Sequence, residues 1–125
     1  MTGITLDAGA LIGFERNRRD VVAVLRRAVE HTDEICVPAP ALAQVWRDGR
    51  RQARLARLVG APTTTVIPLD DAAARASGQL CGAAGTSDVV DAAVVHCARR
   101  RGHTVLTSDP DDLGALDAGA PLVVV

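Results

Sequence analysis

The chain has no lysine: all 14 of its basic residues are arginine. Chemistry that depends on a lysine, such as a P-loop or a Schiff base, is therefore excluded. Tyrosine is also absent, and Phe14 and Trp46 are the whole aromatic set. Recognition of bases on an aromatic stacking platform is not expected from such a chain. Cysteine is scarce. Cys36, Cys81 and Cys97 are odd in number, lie far apart and form no Cys-x-x-Cys pair, which points to reduced thiols rather than a disulfide framework or a zinc knuckle. No apolar run approaches the roughly 20 residues that span a bilayer. The segment from Met1 to Asp7 carries neither the basic start nor the long apolar core of a signal peptide. The expectation is a cytoplasmic protein with no membrane segment. A formal charge of −1 supplies no global attraction to nucleic acid, so any such contact must come from local clustering.

What is present suits one compact domain over residues 1–125, with 48% hydrophobic content to build its core. Short apolar runs alternate with helical patterns. Ile4 to Leu6 reads as a strand that ends at Asp7 and passes into a helix from Ala8. Asp20 to His31 carries Val21, Val22, Leu25, Ala28 and Val29 at spacings of three and four, a helix with those residues inward. Glu34 to Val37 reads as a second strand, with Cys36 buried in it. The helix after Pro38 and Pro40 has a core stripe of Leu42, Val45, Trp46 and Gly49, and an arginine-rich helix follows to Val59. Thr64 to Ile67 forms a third strand, Asp70 to Cys81 a helix, and Gly82 to Gly85 a loop. Ser87 or Asp88 caps a helix to Arg101, Thr104 to Thr107 is a fourth strand, and Leu122 to Val125 a last one. The class is α/β, with a central parallel sheet of four to five short strands flanked by helices.

In such sheets ligands sit outside the carboxyl ends of the strands. Asp7 and Asp109 directly follow or adjoin strand ends, while Asp88 and Asp91, three apart, share one side of a helix start. Carboxylates crowded together raise one another's pKa unless a cation neutralises them. An all-oxygen set suits a hard ion such as Mg²⁺ or Mn²⁺. Each acid also has a structural reading. Asp88 and Asp91 suit a helix N-terminus, Asp109 before Pro110 suits a turn, and Asp111 and Asp112 read as solvated or capping acids. Asp7 lies between an apolar strand and an apolar helix, where a charge needs a partner or a function. His31, His96 and His103 lack metal-ligand spacing and read as structural or exposed.

The run Leu6-Asp7-Ala8-Gly9-Ala10-Leu11-Ile12 resembles the opening of PIN-domain nucleases. Asp88-Val89-Val90-Asp91-Ala92-Ala93-Val94-Val95, followed by Val105-Leu106-Thr107-Ser108-Asp109-Pro110-Asp111-Asp112-Leu113, resembles their closing half. Order and spacing are most similar to the toxins of VapBC toxin–antitoxin pairs. That resemblance implies an Mg²⁺- or Mn²⁺-dependent endoribonuclease, dimeric, and held inactive by a cognate VapB-type antitoxin. It makes Asp7, Asp91 and Asp109 catalytic metal ligands, with Asp88 and Thr107 beside them. The family's usual Glu in the helix after strand two is replaced by Gln44. Two readings follow: an active RNA-cleaving toxin, or a catalytically weakened protein of this fold that serves mainly to bind an antitoxin. Hydrolysis by water would leave a 5′-phosphate and a 3′-hydroxyl.

Arg47, Arg50, Arg51, Arg54 and Arg57 lie in a segment with one acid, Asp48. Either they contact RNA phosphates or they form an ordinary solvated face with ion pairs. Arg47 and Arg51 are three and seven residues beyond Gln44, which on a continuous helix faces them to the metal; they and Thr107 are the RNA-binding candidates.

Overall fold

The computed structural model describes residues Gly3 to Val125. Met1 and Thr2, where the expectation of no signal peptide begins, lie outside the described residues. In chain order the elements are β1 (Gly3–Leu6), α1 (Ala8–Glu15), α2 (Arg19–Glu30), β2 (Glu34–Pro38), α3 (Ala39–Val45) and α4 (Ala53–Val59). They continue with β3 (Thr64–Ile67), α5 (Asp71–Ala84), α6 (Val89–Arg101), β4 (Thr104–Thr107), α7 (Pro110–Leu116) and β5 (Leu122–Val124). The five strands form one sheet in the order β3-β2-β1-β4-β5, every pair parallel.

A parallel sheet buried on both faces needs apolar runs rather than alternation. All four residues of β1 are buried, as are the last four of β2, whereas the edge strands β3 and β5 are more open. Leu6, Leu11, Ile35, Val37, Leu55, Val94, Val95, Val105, Leu106 and Leu113 are fully enclosed in the core. The chain winds from β1 outward through β2 to β3, then returns to place β4 on the other side of β1. Connections leaving β1 and β4 therefore diverge, and a crevice opens where they part.

Four expectations are corrected. The helix after Pro38 ends at Val45, so Trp46 and Gly49 are outside it. Trp46 takes an extended backbone, is 37% exposed and lies against Gly49, so it is not a core residue. Gln52 explains the break: its side chain donates to the Val45 carbonyl at 2.8 Å and accepts from the amides of Arg47 and Asp48 at 2.7 and 3.0 Å. These bonds satisfy backbone groups that a longer helix would have used. In α2 the buried stripe is Val21, Leu25 and Ala28, and Val29 is 48% exposed. Finally, Gly82 to Ala84 continue α5, which closes only at Gly85, left-handed at φ 72°.

Candidate metal centre

The site begins with a helix cap. Asp7 has an extended backbone after β1, and its carboxylate accepts from the Ala10 amide at 2.8 Å, closing the first turn of α1. Its own amide donates to the Leu106 carbonyl of β4 at 3.3 Å. Asp7 is buried, and that burial raises its carboxyl pKa, against the lowering effect of hydrogen bonds from Thr107 and Ala10. The Asp109 charge raises it further. Gly9 leaves room beside the turn for the Ser108 hydroxyl, which a Cβ there would displace.

Thr107 ends β4 and is fully buried. Its hydroxyl donates to Asp7 and accepts from the Asp109 amide at 2.8 Å. The expected role of Thr107 in touching RNA is thus corrected: an enclosed hydroxyl with both bonds committed sets the positions of two acids. Asp109 precedes α7 without a side-chain capping bond. Its carboxylate instead pairs with that of Asp112, which raises the Asp112 pKa through a shared hydrogen bond and charge repulsion. Asp88 caps α6 by accepting from the Asp91 amide at 3.1 Å. Asp91 is half-buried and its carboxyl is pushed up to about 7, first by burial, then by the charge of Asp88 and a hydrogen bond to it, with smaller effects of Asp112 and Asp7.

Asp88, Asp91 and Asp112 each bring an oxygen within 4.8 Å of the others. Asp7 and Asp109 couple electrostatically to this group. Among the described residues, none of the ion pairs includes any of these five acids. Five carboxylates at the crevice without a basic partner match a hard divalent cation in donor chemistry and charge. Asp112 was read from sequence as solvated or capping. It is exposed, yet the first turn of α7 directs it to Asp109, a proximity that Pro110 at the helix start could have suggested.

Gln44 is exposed on α3, a helix that packs against both α1 and α6. The arginines sit differently from the expectation, since no continuous helix carries them past Val45. Arg47 turns its guanidinium onto the carbonyls of Ala43 and Trp46 at 3.1 and 2.7 Å. Arg51 lies in the turn before α4, 88% exposed and 3.8 Å from Asp48.

The PIN domain family model matches residues 4–118. The chain belongs to the PIN-domain family. No curated protein matches it by sequence. Among solved structures, this PIN domain is similar to a chain of the VapBC2 complex of Rickettsia felis bound to a promoter DNA fragment, with TM-score 0.75, 12% identity and coverage of 98% of each chain. It is also similar to a chain of DNA-bound VapBC from Salmonella typhimurium, with TM-score 0.71, 20% identity and coverage of 99% and 98%. Mycobacterium tuberculosis VapC20, a toxin that cleaves the Sarcin–Ricin loop, matches with TM-score 0.66, 16% identity and coverage of 98% of each chain. At such identities these likenesses concern the fold. No helix among the described residues is long and apolar enough to cross a membrane.

Proposed function

We propose that this PIN domain is a metal-dependent endoribonuclease, the toxin of a toxin–antitoxin pair. The observation that carries the reading is the uncompensated acidic cluster in which Asp7 and Asp112 are shifted up and Asp91 stands near 7. Protons held at such a pKa are easily displaced by a cation. Asp7, Asp91 and Asp109 would hold Mg²⁺ or Mn²⁺, with Asp88 and Asp112 completing the charge. A bound ion supplies Lewis-acid activation of the phosphodiester and of the attacking water.

The protein's own residues contribute geometry. Thr107 fixes Asp7 against Asp109 through one hydroxyl. Asp88 fixes the first turn of α6 and so the direction of Asp91. Arg51, highly exposed and only loosely paired with Asp48, would meet an RNA phosphate; Arg47 shapes the loop that presents it. Similarity to chains of VapBC complexes supports a VapB-type antitoxin as partner; a toxin homodimer and a cytoplasmic setting belong to the same proposal.

A second reading rests on Gln44. It offers an oxygen but no charge where the family usually has an acid, which favours a weakened enzyme acting chiefly as an antitoxin-binding module. Asp112 argues for activity, because it brings a further carboxylate to the cluster. The test is cleavage of a structured RNA by antitoxin-free protein with Mg²⁺ or Mn²⁺. Cleavage should stop in EDTA and in Asp7→Asn, a change that retains a good helix cap. Cutting that persists in either case would remove the metal mechanism, and a folded parent protein without any cleavage would favour the binding module.

A further inference from the structure

We propose that Glu34, Cys36 and His103 form a Zn²⁺ site at the amino-terminal end of the sheet, opposite the acidic crevice. Glu34 and Cys36 are two apart on β2 and share a face. His103 immediately precedes β4, and β1 runs between the two strands. Strands two places apart in a sheet are separated by about 10 Å, so a side chain bridges them only by leaning across the strand between. Gly3 allows this. It pairs with Glu34 in register, and a Cβ there would stand 2.7 Å from His103 Nε2. Across that bare backbone, one ligand atom each of Glu34, Cys36 and His103 falls within 4.8 Å of the others.

The imidazole is already oriented for such a role. His103 Nδ1 lies 3.0 Å from the Thr5 hydroxyl. A ring proton on Nδ1, donated to that hydroxyl, leaves the Nε2 lone pair for a metal ion. Nε2 stands 3.8 Å from Glu34 Oε1. Burial favours the neutral ring. A metal-bound histidine is usually held by just such a partner on its other nitrogen. Cys36 donates to the same Oε1 at 2.7 Å. Ligand atoms of a tetrahedral zinc site stand roughly 3.3–3.8 Å apart, so closing the site needs only a small retreat of the thiol. Zn²⁺ would displace the Cys36 proton to solvent. A sulfur, nitrogen and oxygen set selects zinc over Mg²⁺. The open side is covered by Arg101, which donates to Glu34 Oε1 at 3.0 Å and has a 37% exposed side chain able to swing aside.

The test uses the reduced full-length chain with excess Mg²⁺ to occupy the acidic crevice, and Co²⁺ as a spectroscopic probe. One equivalent of Co²⁺ should produce thiolate-to-metal charge-transfer absorption, which one equivalent of Zn²⁺ abolishes. Cys36→Ser should remove the absorption, whereas Asp91→Asn and Cys97→Ser should keep it. Thr5→Val, which strips the second bond from His103, should weaken Zn²⁺ binding about tenfold. No thiolate absorption at stoichiometric Co²⁺, or absorption that survives Cys36→Ser, overturns the site. Should Cys36→Ser fail to fold, Glu34→Gln at its exposed position decides: the site requires at least about a tenfold loss of Zn²⁺ affinity, and unchanged affinity overturns it.

Discussion

The two ends of the sheet treat charge in opposite ways. At the carboxyl end, Asp7, Asp88, Asp91, Asp109 and Asp112 gather without a basic partner among the described residues. At the amino end, the single carboxylate of Glu34 is met by Arg101, His103 and the Cys36 thiol, and its pKa is lowered, chiefly by the thiol's hydrogen bond. Topology produces the contrast. Connections leaving β1 and β4 diverge and open a crevice, whereas the carboxyl end of α6 brings Arg101 onto Glu34 at the amino end of β2. Glu34 is held ionised by its own neighbours before any cation arrives, whereas acids that meet only one another need a proton or a metal ion.

That difference can be broken most directly through pH. Asp91 rises from 3.8 to about 7 in the metal-free fold, so between those values the folded chain holds more protons than the unfolded one. The Asp91 contribution to stability in EDTA, read as the difference between the parent and Asp91→Asn, should therefore be fully present at low pH and fall as pH rises through that window. Saturating Mg²⁺ should flatten or reverse the slope. Thermal unfolding across the range checks this, and a metal-independent profile would mean that the acids are balanced by something other than a cation.

Thr107→Val sharpens the comparison from inside the site. It keeps the shape but leaves the Asp109 amide and the Asp7 carboxylate without their shared hydroxyl. A loss of about 1–3 kcal/mol is expected in chemical denaturation, with about a tenfold lower cleavage rate. A normal rate would show that Asp7 and Asp109 need no common anchor. Gln44→Glu tests whether α3 brings this position to the crevice, by adding a charge there. It should tighten metal binding and raise single-turnover cleavage at limiting Mg²⁺, while Asp88→Asn should lower both. If calorimetry finds the same affinity in Gln44→Glu as in the parent, Gln44 is beyond the metal's reach. Arg51→Ala is the mildest change: its exposed pairing with Asp48 contributes at most about 1 kcal/mol. Stability should stay nearly unchanged while RNA binding weakens and its salt dependence becomes less steep by about one phosphate contact.

Much of the fold was legible in the chain because a buried parallel sheet writes itself as short apolar runs between helical periods. The runs at Ile4, Glu34, Thr64 and Thr104 each became a strand close to its expected limits. Where periodicity failed, a specific long-range or terminal interaction had intervened. Gln52 reached back seven residues to stop α3 at Val45, and only then did Arg47 and Arg51 leave the line expected of them. Asp112 resembled any acid in a helix's first turn until α7 brought it beside Asp109. His103 carried no metal-ligand spacing, since its neighbours Glu34 and Cys36 are nearly seventy residues away in the chain.

Composition and pattern alone determined the chemical class of the chain: an α/β sheet protein without lysine, whose reactive groups are carboxylates near strand ends. Local interactions are sufficient for this, because strand length, helix period and the position of Asp7 after an apolar run are properties of neighbouring residues. Which acids stand together, which hydroxyl lies between Asp7 and Asp109 and what each arginine meets were decided only by the tertiary structure. Those properties depend on distances across strands β1 and β4 and between helix starts, and a charge is shifted by whatever lies within a few ångströms of it, however far away along the chain.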